Sequence, residues 1–363
     1  MRRGLMKWLP EEMPAEVLDG RVQRLQAVMR EDGLHAVLAY TSFARPAAVH
    51  WLTHFTPYWS EALCIVPREG HPVLLAALTP RVHAWMREVS HVGELVSAPK
   101  LGPAAARWLA EHLPADARFG VISPDALPWA LSEPLHDAFG ARRLVDATES
   151  FRRVRQPADE AERGLARRAA SIARAAIDAV PPGARDTCAL AAAADGSARR
   201  AGAEEVLLRV APDLRRSDAL LRLEGERALA ATHAVELSVA YKGVWVRLAR
   251  SFARGDAPPA WAAAQDWFDR AAATPASLRA LAEGRLAPPA GHAIRWTLEA
   301  CTGLQPLSVV AAGEAGQVVG AASLPTGTLC VLSASSEAGG QHWVGGCALA
   351  ILPEGLRRLD RFH

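Results

Sequence analysis

The sequence predicts an α/β domain followed by an α+β domain, and three observations carry that reading. At 363 residues the chain exceeds one average domain and suits two of ordinary size. Its first part alternates short apolar runs with helical stretches, as α/β domains do. Its second part opens on a long amphipathic helix and then carries two neighbouring apolar segments joined by a turn, the pattern of an antiparallel hairpin.

Each element follows from local pattern. Pro14 to Arg30 places Val17, Val22, Leu25, Val28 and Met29 near helical spacing, with Gly33 just beyond its end. The apolar runs His35 to Tyr40, Ala62 to Pro67 and Pro72 to Ala77 read as strands, and Thr79 to Val89 and Pro103 to Glu111 as helices. Arg142 to Pro157 is polar and ends in a proline that disfavours helix before it, so the domains are assigned as 1–150 and 151–363. From Ala158 a helix sets Leu165, Ala169, Ile172, Ala176 and Val180 on one face, until Pro181, Pro182 and Gly183 stop it. Asp186 can cap the next helix, through Cys188 to about Ala201. Ala228 to Val239 and Gly243 to Phe252 form the hairpin, followed by helices over Trp261–Ala272 and Pro275–Glu283. Short strands around Val309, Val318, Leu329 to Leu332 and Ala348 to Leu352 close the chain.

Composition excludes several classes. The formal charge is +2, and the basic residues are almost all Arg, with Lys only at 7, 100 and 242. No basic stripe interleaves with aromatics, so nucleic acid is not expected as a partner. Cys64, Cys188, Cys301, Cys330 and Cys347 lie far apart without CxxC spacing, which points to a reducing compartment rather than a disulfide framework. Acidic and proline residues follow Arg2, Arg3 and Lys7 where a signal peptide needs an apolar run, and no segment is long and apolar enough to span a bilayer. The expected location is cytoplasmic, without membrane contact.

Motifs in the second half are more specific. The run RRVRQPADEAERGLARRAASIARAA from Arg152, PPGARD at Pro181, AVELSVAYKGVWVRLARSF from Ala234, GHAIRWTLE at Gly291 and the closing ILPEGLRRL together resemble the creatinase, aminopeptidase P and prolidase family, related to the M24 peptidases. Gly243, Arg250 and Phe252 fall in register with the family's hairpin motif. The resemblance implies a creatinase-type N-terminal α/β domain, a pita-bread C-terminal domain and a homodimer. It also implies a centre of two divalent cations held by two Asp, one His and two Glu. Carried over residue by residue, the first Asp falls on Glu236, the second on Arg247 and the His on His292, while the two Glu fall near Ser333 and near Cys347. A second, substrate-binding His falls on Glu299. A guanidinium repels a metal, so no metal and no other cofactor is expected.

The surviving candidates are His292 and Glu236 as an acid–base pair, with Glu299, Arg247 and Trp245 near the substrate. Arg247 either binds a ligand carboxylate or phosphate or forms a salt bridge to Glu236 or Glu299. In HWLTHFTPYWSE from His50, the resemblance implies that Tyr58 and Trp59 touch substrate, whereas Trp51 and Phe55 read as core. Cys347 in an apolar strand reads as buried rather than nucleophilic, and Ser333, Ser335 and Ser336 as a turn. Two functions lead, ahead of a metallopeptidase, which would require a different register through Arg247. One is a metal-independent, creatinase-like hydrolase of a C–N bond in a small polar substrate, with His292 as proton carrier and Glu236 and Glu299 positioning substrate and water. The other is a catalytically silent pita-bread module that binds a small-molecule or peptide-like ligand, or a protein.

Overall fold

The computed structural model describes residues 7–57, 59–181, 183–301, 307–314, 317–320 and 324–361. The chain divides into two units between Gln156 and Pro157, later than the boundary expected after residue 150. The reason is a helix over Thr148–Arg155, whose Phe151 and Val154 are buried. The segment around Arg152 is therefore helical, and extension begins only at Gln156, the residue restricted by the following proline.

The first unit is built on strands β1 (Ala36–Ser42), β2 (Glu61–Pro67), β3 (Val73–Ala76), β4 (Glu94–Ser97), β5 (Phe119–Ile122) and β6 (Leu144–Asp146). They form one sheet in the order β4-β3-β2-β1-β5-β6. β2 runs antiparallel to β1 and β3, while β1–β5, β3–β4 and β5–β6 are parallel. The Ala15–Glu31 helix buries Leu18, Val22, Leu25 and Met29, close to the expected face. Phe119, Leu38, Leu63, Leu75 and Leu109 lie in a shared core.

The second unit carries β7 (Glu205–Ala211), β8 (Leu221–Arg222), β9 (Thr232–Tyr241), β10 (Val244–Ala253), β11 (Ala293–Ala300), β12 (Ser308–Glu314), β13 (Gln317–Val319), β14 (Leu329–Ala338), β15 (Gln341–Leu352) and β16 (Gly355–Arg358). Nine of them form a sheet in the order β13-β12-β11-β14-β15-β10-β9-β7-β8, and β16 adds to β15. The expected hairpin is β9–β10, closed by Lys242 and Gly243 at φ 46° and 79°. Two central residues with positive φ match the right-handed twist of the strands, and glycine supplies one at no steric cost.

Helices cover one face of this sheet. Helix Glu160–Asp178 is capped by Asp159, and helix Thr187–Arg200 by Asp186, whose carboxylate accepts from Ala189 N at 2.8 Å as expected. Leu190 and Ala194 pack with Val210 and Val235, and Phe268 of helix Ala260–Ala271 meets Trp343 edge-on. Pro182, part of the expected helix stop, lies outside the described residues.

Strand register fixes what the opposite, open face displays. Arg209 pairs with Glu236, Glu236 with Ala249, Arg247 with Ser238, Ala249 with Gly346, Gly346 with Ser333, and Ser333 with Thr297. Directly paired residues project to the same side, so these side chains share one surface. The serines expected in a turn instead lie in β14, which extends to Ala338. Small polar residues conceal the alternation there, with Ser333 and Ser335 on the open face and Ser336 on the covered one.

β10 and β15 pair only through Ala249–Gly346 and Arg250–Gly345. A Cβ on Gly346 would lie 2.9 Å from Ala249 N and 3.0 Å from Ala249 Cβ. Gly346→Ala therefore overpacks the junction and is expected to destabilise by about 1–3 kcal/mol, measured by urea unfolding. A variant as stable as the native chain would show that the junction opens freely.

Candidate functional site

The open face carries a chain of alternating charges. Glu236 is 3 % exposed, because β9 is buried along its whole length. From β7, Arg209 donates to Glu236 Oε1 through Nε at 2.6 Å and approaches it with a second nitrogen at 2.5 Å. From β10, Arg247 Nε lies 3.6 Å from the same oxygen and donates to Ser238 Oγ at 3.0 Å. Arg247 also donates through a terminal nitrogen to Glu299 of β11. The result is Arg209–Glu236–Arg247–Glu299, in which each interior charge touches an opposite one. Arg247 is thus bridged to both candidate carboxylates.

Beside this chain lies a cavity of about 640 Å³, lined among others by Arg209, Glu236, Asp218, Arg295, Thr297 and Ser333. Leu220, Trp296, Val319 and Val344 supply apolar wall. Asp218 comes from the loop between β7 and β8 and pairs with Arg295. Burial opposes ionisation of Asp218, but hydrogen bonds from Arg295 and Ser335 and the Arg295 charge outweigh it, holding the carboxyl below its ordinary range. Ser333 Oγ is buried and has no hydrogen-bond partner among the described residues. Pattern reading missed Arg209, Asp218 and Arg295. Arg209 was legible only as one residue of the short strand β7, between Gly202 and Pro212, and nothing local pairs it with Glu236.

The expected acid–base pair is not brought together. His292 lies just before β11, and its Nδ1 sits 2.9 Å from Ser336 Oγ. Ser336 is 2 % exposed and pairs with Ile294 and Trp343 on the helix-covered side, away from Glu236. Glu236 instead meets Arg209 and Arg247. Trp245 pairs with Ala240 and shares the side of Arg247. Arg250 donates to Asp178 at 2.7 Å, a bond within the framework. Cys347 lies in the core facing the helices, and burial pushes its thiol up, which removes it as a nucleophile.

In the first unit Trp59 is 61 % exposed, its ring stacked on Trp85 with centroids 6.2 Å apart. Tyr58 lies outside the described residues. Trp51 and Phe55 are buried as expected.

The residues at the implied metal positions do not fit a dinuclear centre. Glu236 is already neutralised by guanidinium groups, Arg247 brings a fixed positive charge, and Ser333 offers a neutral hydroxyl. The open-face neighbours of Cys347 in β15 are Gly346 and Ala348, which have no donor side chain. Among the described residues no group of three or more His, Cys, Asp and Glu side chains could hold a metal ion.

Comparison with known proteins agrees with this architecture. Residues 21–156 match the Creatinase/Prolidase N-terminal domain family. Over 96 % of its length the chain superposes on 97 % of dipeptidase PepE from Mycobacterium ulcerans, with TM-score 0.64 and 20 % identity. Against the Xaa-Pro dipeptidase from Bacillus anthracis the TM-score is 0.68 at 14 % identity, covering 95 % and 98 % of the two chains. The prolidase from Pyrococcus horikoshii OT3 gives 0.64 at 15 % identity, covering 95 % and 99 %. No curated protein sequence matches the chain. Among the described residues no helix is long and apolar enough to cross a membrane.

Two outcomes follow. Arg247→Ala leaves Glu299, 9 % exposed, without its cation and should cost roughly 3–5 kcal/mol in chemical denaturation; an unchanged midpoint would contradict the bridge. Because the folded pKa of Asp218 is depressed, the stability it contributes is present above the unfolded value of ~3.9 and is lost as pH falls through the lower folded value. Asp218→Asn should remove that acid-sensitive part, so its stability curve should fall less steeply than the native one below about pH 4.

Proposed function

We propose, from the premise that this chain is a creatinase and prolidase type protein of pita-bread fold, that its second unit is a catalytically silent binding module for a small polar or peptide-like ligand. The observation that carries this reading is the ion chain Arg209–Glu236–Arg247–Glu299. Hydrolysis needs a group free to take a proton from water or to give one to the leaving atom. Glu236 and Glu299 are committed to guanidinium groups, and a guanidinium does not release its proton at any working pH. His292 is tied to Ser336 on the covered side.

What the face offers instead is fixed recognition chemistry. The cavity of about 640 Å³ lies within the roughly 300–1,000 Å³ typical of small-ligand sites. Arg209 and Arg295 are both partly exposed there and suit a carboxylate, Thr297 and Ser333 suit amide or hydroxyl groups, and Leu220 and Val344 suit an apolar portion. A dipeptide-like molecule has all three. Homodimerisation and a cytoplasmic location, both implied by the resemblance and the composition, belong to the same proposal, and light scattering of the purified chain tests the first.

The test is calorimetric titration of the full chain with a panel of dipeptides and small carboxylates, alongside mass spectrometry of the recovered ligand. Saturable binding with the ligand recovered intact, with or without added manganese, is the expected result. Arg209→Gln should weaken binding about tenfold, the loss of one charge-assisted contact, and His292→Ala should leave affinity unchanged. Cleavage of the ligand that disappears in His292→Ala would overturn the reading and restore a metal-independent, creatinase-like hydrolase. Cleavage that requires added manganese would restore a metallopeptidase.

A further inference from the structure

We infer a second site, for a small oxyanion, on the helix-covered side of the same sheet. It is independent of the ligand reading for the open face. Where β10 and β15 separate beyond their two paired residues, a cavity of about 270 Å³ lies between the strands, helix Glu160–Asp178, helix Ala260–Ala271 and the chain after β16. Four guanidinium groups line it: Arg174, Arg250, Arg358 and Arg361.

The carboxylates around these arginines are Asp178, Asp269 and Asp360. Arg174 and Arg250 donate to Asp178, each at 2.7 Å. Arg358 is engaged through all three nitrogens, donating to Asp269 at 2.6 Å and to Asp360 at 3.2 and 2.7 Å. Arg361 donates to Asp269 at 2.8 Å. Among the described residues, four cations against three anions leave one positive charge in excess. Arg250 and Arg361 each hold a carboxylate through a single nitrogen, so each keeps donors for a further acceptor.

Size and chemistry then select the ligand. The volume falls just below the range typical of drug-sized ligands and suits a compact anion. Planar guanidinium forks match oxygen pairs of phosphate or sulfate bidentately. The excess charge, half enclosed, is balanced most directly by such an oxyanion. Arg358 forms the fixed wall, and Arg250 and Arg361 make the contacts.

Inorganic phosphate, titrated into the full chain at constant ionic strength, tests this by thermal unfolding and calorimetry. A saturable rise in Tm is expected at low millimolar phosphate, with chloride giving none. Arg361→Gln and Arg250→Gln should each weaken binding about tenfold. Asp178→Asn, which removes a competing carboxylate, should tighten it. Arg361 lies at the exposed end of the site, so it decides the matter if Arg250→Gln fails to fold. A rise that never saturates and is the same in all variants would be the general effect of a kosmotropic salt and would overturn the site, as would no rise at all.

Discussion

The open face of the second unit depends on one interaction, the guanidinium of Arg247 between Glu236 and Glu299. Both carboxylates are almost fully withdrawn from water. Their isolated burial would be costly, and it is tolerated because each lies against a cation within hydrogen-bonding reach. Arg209 completes the arrangement from the far side of Glu236 and itself reaches solvent. The chain of charges therefore runs from the sheet interior outward to the cavity. Its register follows from the pairings Arg209–Glu236 and Arg247–Ser238, which set three of the four groups on one surface before any side-chain contact is considered.

This arrangement differs in kind from a metal centre, although it serves some of the same needs. A divalent cation neutralises carboxylates while leaving coordination positions open to water and substrate. A guanidinium neutralises them through directed hydrogen bonds and leaves no open position. It is also covalently part of the chain, so the site keeps its charge balance without recruiting anything from solution. The price is chemical: a permanent cation can orient and bind but cannot shuttle protons.

Much of the fold was legible because its long elements repeat a clear period. The Ala15–Glu31 and Glu160–Asp178 helices, the β9–β10 hairpin and the Asp186 cap all show in local pattern. The short strands β4 and β6, with four and three residues, offer too few positions for alternation to register. β14 was cut short because Ser333, Ala334, Ser335 and Ser336 are small on both faces and show no contrast. The site was legible only in part for a related reason. Arg247 and Glu236 lie in one hairpin and could be placed from local register, whereas Arg209, Asp218 and Arg295 reach the site through long-range pairing. His292 fits the local motif yet turns toward Ser336, because its direction is set by β14, a strand more than 35 residues away.

The two faces of the sheet solve the same problem with the same residue type. On the open face arginines neutralise glutamates beside a cavity; on the covered face they neutralise aspartates beside a smaller one. Lysine could not do either as well, since one ammonium is a point charge while one guanidinium can engage two carboxylates in a fixed plane. Arg247 and Arg358 each do so. Both cavities are lined by Ala249 and Val344, at the place where β10 meets β15. Glycine there lets the backbones approach closely, and this narrow junction holds both groups of charges in place.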